Sequence, residues 1–458
     1  MRGDRQCSMC RRALALLTAL VGLGAVLSAK CSPSFDAACP YDGTSVNELS
    51  LAHAVDLALC SNAEIQIASA SIRIRAAELG ESRAAYWPSV NATVSEVREI
   101  TSYPGDRAPN TTETATTIYG ALTWRLFDFG VRRGDVRAAS QFLEAALGTH
   151  DATIQKVLGS VIESYFDAVT AKALMNAKVE DESLAHETLA SAVRRLDRGD
   201  GAQSDSLQAR TALARNALEL NRARSAYEKA LALLAYTVGL PPGTHFNVPD
   251  EPEESGPTNE KSLAAWLDDA RRRHPAIVSA HADVQAAEAQ VQSARSSNKP
   301  TLDLQVNYYA NGFPQQGLAT NRQRSTTIGL VITVPVFDGF LHRYKVHAAE
   351  ATLRVKEAML VDTERVTLTE IVKAYSDATA AAADLLESQE LLDSARSSQD
   401  SSRRRYDSGA TDIQELLNTQ AALADARQER VRSVADWRSA RLRLLATSGI
   451  LANSTIDQ

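Results

Sequence analysis

The residues of this 458-residue chain that could do chemistry are scattered, and they point away from catalysis. Its eight histidines form no cluster with metal-ligand spacing, and neither a nucleophile elbow nor a phosphate-cradling loop occurs. His274, before Pro275, and His342, near a helix start, read as surface residues. The chain is therefore expected not to be an enzyme and to need no cofactor. What recurs instead is a glycine turn followed by an acid. Leu196-Asp197-Arg198-Gly199-Asp200-Gly201 precedes Asp205, and Tyr406-Asp407-Ser408-Gly409-Ala410 precedes Glu415. Glycine takes the left-handed conformation that ends a helix, and an acid in the next first turn complements the helix dipole.

A long helical pattern must carry each turn. From Val131 to Arg198 there is no proline, and Ile154, Val157, Leu158, Val161, Ile162, Tyr165 and Val169 step by three and four. At about 1.5 Å per residue such a helix is roughly 100 Å long. The run from Leu341 to Asp407 is its twin. Helices return through Leu207, Leu213, Leu218, Tyr227 and Leu234, and through Ile413, Leu417, Leu423, Val434, Trp437 and Leu444.

Ahead of each long helix lies a strand. Ile328, Leu330, Ile332, Val334 and Val336 point one way, while Thr327, Gly329, Val331 and Thr333 point the other. Pro335 belongs at a strand end, and Asp338-Gly339 is turn chemistry. The same junction occurs at Ile118–Gly130, where Phe127-Asp128 lies 210 residues before Phe337-Asp338. At that shift Tyr165 meets Tyr375, Asp197 meets Asp407, Gly199 meets Gly409 and Gly239 meets Gly449. Upstream, a shift of 212 aligns Asp56 with Asp268, Ile65 with Ile277 and Pro88 with Pro300. The chain reads as a tandem duplication of a domain-sized unit.

The expected organisation is a signal peptide over 1–29, an extended arm over 30–49, a first repeat over 50–240, a linker over 241–261, a second repeat over 262–450 and a tail over 451–458. The first repeat holds a helix from Leu51 to Tyr86, a hairpin over 88–128, a long helix over 131–198 and a return helix over 202–238. The second holds a helix, a hairpin over 300–338, a long helix over 341–407 and a return helix over 411–447.

Aromatic residues make up only 5% of the chain, which suits closely packed long helices. Residues 1–29 carry +3 against −7 for the whole, leaving a body of −10 with no basic cluster and no nucleic-acid character. Arg11-Arg12 followed by the apolar run Ala13 to Ala29 reads as a secretory signal cut after Ala29, with an uncleaved anchor as the alternative. Lys30 before Cys31 makes a poor lipidation site. Cys39 and Cys60 bracket the first helix start and are expected to be bridged, with Cys31 free or an alternative partner.

No other run of about 18 apolar residues occurs, so a mature chain that crosses a membrane does so on strands. Four strands with one apolar face cannot close alone, because every backbone group in lipid must be paired. The smallest closed barrels need about eight strands, so closure requires several chains.

These features resemble the TolC-like outer-membrane efflux and secretion channels, including the outer-membrane components of type I secretion. The resemblance is carried by Leu126-Phe127-Asp128 and Pro335-Val336-Phe337-Asp338-Gly339, by Arg405-Tyr406-Asp407-Ser408-Gly409-Ala410-Thr411-Asp412-Ile413, and by Ala54-Val55-Asp56-Leu57-Ala58-Leu59 before Asn62, within residues 50–450. It implies a mainly helical homotrimer with a twelve-stranded barrel in the outer membrane, continued by a helical barrel across the periplasm. It further implies an adaptor protein docked at a tip near Gly199, Asp200, Gly409 and Ala410, and an inner-membrane pump or ABC transporter behind it. By position it places Asp205, Glu415 and Asn418 near an acidic pore ring, Tyr406 at a gating tyrosine and Thr411 where an arginine often stands. Three copies of Glu415 on one axis would favour cations. The alternative is a periplasmic coiled-coil adaptor or spacer without a membrane barrel.

Overall fold

The computed structural model describes residues 48–102, 111–250, 261–311 and 323–449. The expected signal segment, nearly all of the arm, Cys39, the loops between paired strands and the C-terminal tail lie outside them. The first half runs α1 (Leu51–Ser61), α2 (Ala63–Ala84), β1 (Ser89–Thr101), β2 (Thr111–Phe127), α3 (Val131–Asp197) and α4 (Gln203–Val238). The second repeats that order as α5 (Leu263–Arg273), α6 (Pro275–Ser296), β3 (Thr301–Ala310), β4 (Arg324–Thr333), α7 (Leu341–Asp407) and α8 (Ile413–Thr447). Among the described residues no helix is long and apolar enough to cross a membrane.

The helix expected from Leu51 to Tyr86 is two helices. Asn62 leaves the helical region (φ −69°, ψ 127°), and its side chain accepts from Glu64 N at 2.8 Å to start α2. His274 makes the matching break between α5 and α6, with Pro275 in the first turn of α6. It is half-buried in that joint and not the surface residue expected. Neither break disturbs the apolar periodicity, so neither is visible in it.

The main core gathers where α3 crosses α1 and α4. Val157, Leu158, Val161, Ile162 and Tyr165 pack with Leu49, Val55, Leu234 and Val238. The start of the expected linker belongs to this core. Phe246 and Val248 are buried in it, and Asn247 O accepts from Leu49 N at 2.8 Å. A smaller cluster of Trp266, Ala270, Ile371, Ala378 and Leu444 occupies the corresponding place in the second half.

The four strands form one antiparallel sheet in the order β1-β2-β3-β4. β4 stops at Thr333, so the alternation expected to carry the strand through Val334 and Val336 continues without a ladder. Pro335 accounts for the early stop, because it has no N–H to donate and restricts Val334 before it.

Candidate functional site

Two regions could serve a transport function, the sheet and the far turns of the long helices. In the sheet, register fixes which side chains share a face. Val90 pairs with Leu122, Leu122 with Val306, and Val306 with Ile328; Trp124 pairs with Leu304 and Leu304 with Leu330. One face is thus an apolar band, and Ile328 and Leu330 on it are 73% and 65% exposed. The opposite face is polar and internally bonded. Arg125 meets Asp303 at 2.9 Å, the Tyr119 hydroxyl donates to Asn307 Oδ1 at 3.1 Å, and Ser95 and Thr117 hydroxyls lie 2.6 Å apart.

Among the described residues the first hairpin outruns the second. β3 ends at Ala310 opposite Ile118, while β1 and β2 stay paired out to Thr101–Thr111. On the face of the apolar band this extension carries Glu96, Arg98, Thr112, Thr114 and Thr116, with Ile100 its apolar member.

At the other end of the sheet, strand becomes helix around two aspartates. Asp128 accepts from Gly130 N and Arg132 N, both at 3.1 Å, and Asp338 accepts from His342 N at 2.8 Å. Arg132 adds a side-chain clamp. Its guanidinium meets Asp128 at 2.7 Å, donates to the carbonyls of Arg125 at 2.7 Å and Ala85 at 3.2 Å, and lies over the Tyr86 ring. Phe127 and Phe129 pack edge to face, as do Phe337 and Phe340, so both junctions expose aromatic pairs. Pro335 and Gly339 lie between β4 and α7.

The turns at the other end of α3 and α7 share one geometry. Gly199 (φ 80°) and Gly409 (φ 75°) close them, with Asp200 N bonded to Arg195 O at 2.9 Å and Ala410 N to Arg405 O at 2.8 Å. The two arginines differ in where their side chains go. Arg195 crosses to the other hairpin, donating to Tyr406 O at 2.7 Å and lying over its ring. Arg405 stays in its own hairpin and pairs with Glu415 at 2.7 Å.

Glu415 also accepts from Thr411 and, at 3.2 Å, from the Ser402 hydroxyl. The Thr411 bond leads the causes that hold its carboxyl below the usual range, with Ser402 and Arg405 adding to it. Tyr406 is buried, and burial pushes its phenol above the ordinary value. Asp205, in the first turn of α4, accepts from Ser204 at 3.3 Å, and its charge reaches Tyr406. Asn418 lies one turn beyond Glu415 and accepts from Gln414 at 3.2 Å. The structure therefore brings Tyr406, Thr411 and Glu415 into one cluster held by Arg195 and Arg405, with Asp205 on the neighbouring hairpin. Sequence reasoning overlooked Arg195 and assigned Arg405 no role beyond its place in the turn motif, although each stands four residues before its glycine. Cys60 is disulfide-bonded; its expected partner, Cys39, lies outside the described residues.

The model of the family described as outer membrane efflux protein matches residues 54–240 and 266–449, which span both halves. The chain belongs to the outer membrane efflux protein family. It is 36% identical over 430 residues to Protein CyaE of Bordetella pertussis, covering 93% of this chain and 90% of that protein. It is 26% identical over 306 residues to the alkaline protease secretion protein AprF of Pseudomonas aeruginosa, covering 66% and 63%. Its fold matches the CmeC outer membrane channel of Campylobacter jejuni with a TM-score of 0.75 at 20% identity, covering 88% of this chain and 86% of that one. As an outer membrane efflux protein it is a Gram-negative outer-membrane protein of a transport family, not of an enzyme family. These matches set aside the adaptor or spacer alternative.

Proposed function

We propose that this protein is the passive exit duct of a tripartite efflux pump or type I secretion system. In this reading the halves are a tandem duplication, and three copies contribute four strands each to a twelve-stranded barrel. The apolar band faces lipid, the Arg125–Asp303 face lines the lumen, and α3, α4, α7 and α8 continue the tunnel through the periplasm. The turns at Gly199, Asp200, Gly409 and Ala410 receive a periplasmic adaptor, behind which an inner-membrane pump or ABC transporter supplies the energy. Asp205, Glu415, Asn418, Tyr406 and Thr411 narrow the pore one turn from that tip.

The observation that carries this reading is the sheet, whose two faces are sorted into apolar and polar by register while, among the described residues, both of its edges, β1 and β4, stay open within one chain. An open apolar sheet in lipid demands further copies to pair its edges. Secretion is favoured by the likeness to AprF, which is named for secretion of a protease. The test is to fractionate inner from outer membrane, size the detergent-extracted protein and record conductance in planar bilayers. A conducting trimer from the outer membrane is expected, and a non-conducting monomer there would end the duct reading.

A further inference from the structure

The two halves carry joints built to one plan with one residue exchanged. In the first joint Asn62 uses Oδ1 to accept from Glu64 N at 2.8 Å and Nδ2 to donate to Thr237 O at 2.9 Å. In the second, His274 has nearly the same backbone, φ −64° and ψ 124° against −69° and 127°. Its Nδ1 accepts from Ala276 N at 3.3 Å, and the ring also bonds to the backbone of Thr447. Thr237 and Thr447 occupy corresponding positions, each two residues before a positive-φ glycine. At those glycines the joint comes so close that a Cβ would stand 2.7 Å from Ser61 O at Gly239 and 3.0 Å from Pro275 Cδ at Gly449. A histidine fills both roles only as the neutral tautomer with Nδ1 bare and Nε2 protonated.

We propose that His274 makes the second joint an acid-sensitive hinge, opened when its imidazole takes a second proton, while Asn62 keeps the first joint closed at any pH. That proton goes to Nδ1, where it points at the Ala276 N–H and removes the cap of α6. The new charge also sits at the positive end of α6. Burial already pushes the imidazole below its ordinary value, and the Thr447 carbonyl only partly offsets this.

The charged groups around the ring do not rescue the imidazolium. Lys156 and Glu163 from α3, Glu370 from α7 and Arg443 from α8 line the cavity beside His274 and balance in sign. Arg271, Arg272 and Arg273 precede it on α5, with Asp268 paired to the first two. Among the described residues no carboxylate bonds to the ring. A histidine whose folded value lies below 6.5 leaves stability untouched above that pH and withdraws it as pH falls, until the folded ring protonates too. The inference does not rest on the duct reading, because it concerns the joint and not the pore.

The test is amide hydrogen exchange on the full detergent-extracted protein at about pH 7.5 and about pH 5, corrected for the chemical exchange rate. In the wild type, protection around Ala276 and Thr447 should fall roughly tenfold at the lower pH, while that around Glu64 and Thr237 stays constant. His274→Asn should abolish the fall, and Asn62→His should transfer it to the first joint. Constant protection at the second joint of the wild type, or the same fall in His274→Asn, would overturn the proposal. If His274→Asn does not assemble, Asn62→His decides: a new acid-induced opening at the first joint supports the hinge, and its absence refutes it.

Discussion

α3 and α7 are both 67 residues long, start and stop at corresponding positions, and end in the same glycine turn. Their surroundings differ. α3 packs against α1, α2, α4, α6 and α8, burying Val157, Leu158, Val161, Ile162 and Tyr165. Among the described residues α7 packs mainly against α5, α6 and α8, meets α3 near the tip through Arg195–Tyr406 and Arg403–Glu187, and leaves Tyr344, Met359, Val366 and Leu386 exposed. Local sequence sets the length of each helix, whereas neighbours set its burial. In the proposed trimer, the bare side of α7 is where an adjacent copy fits.

The largest expected difference between the halves lies at the strand-to-helix junctions. Arg132→Met leaves Asp128 and several carbonyls without their buried donor and should cost about 3–5 kcal/mol. His342→Ala, at the corresponding place, removes one exposed contact to Ser297 and should cost under about 1 kcal/mol. Urea midpoints of the two extracted variants check this, and equal shifts would erase the distinction. Next come the hairpins. Leu304→Lys within the apolar band should cost about 2–4 kcal/mol of membrane assembly. Thr116→Lys, on the same face but in the extension, should stay within about 0.5 kcal/mol by the same refolding measurement.

Smaller effects separate joint from tip. Gly239→Ala forces a left-handed alanine against Ser61 O and should lose at least about 2 kcal/mol, while Gly199→Ala, with open space around it, loses only the backbone part of about 1–2 kcal/mol. Thermal midpoints measured in parallel would rank them. The smallest effect concerns the acids. Glu415 shares its charge with Arg405, so Asp205→Asn should lower cation over anion permeability in bilayers more than Glu415→Gln does. Glu415 titrates below its ordinary value of 4.5, so its bonds steady the second turn above that pH and are lost as pH falls further. Because the Glu415 amide itself is held by Asp412 Oδ1, exchange across the second turn compared between wild type and Glu415→Gln at about pH 6 and about pH 4 would register that loosening.

Much of this fold was legible in the residues alone. The three-and-four stepping of Val157 to Val169 and the alternation of Ile328 to Thr333 name their elements, because side chains on one face must be alike to be buried alike. The joints were not legible, since Asn62 and His274 interrupt the backbone without interrupting that stepping. Arg132 carried no local signature either, for its partners include carbonyls of other segments. At the tip, spacing located Glu415 correctly in the first turn, but the arginine that shares its charge comes from the preceding helix, across the turn.

The 35 residues of α8 give the second joint leverage. With Thr447 bound at His274 and Ile413 at the far end, α8 is an arm of about 50 Å. Pivoting that arm by about 3° swings its free end by about 3 Å, the length of one hydrogen bond. In the proposed hinge, a pivot of that size at the joint would displace the turn that holds Tyr406 and Glu415 by as much as the length of the bonds, Arg195 to Tyr406 and Arg403 to Glu187, that tie the two hairpins together.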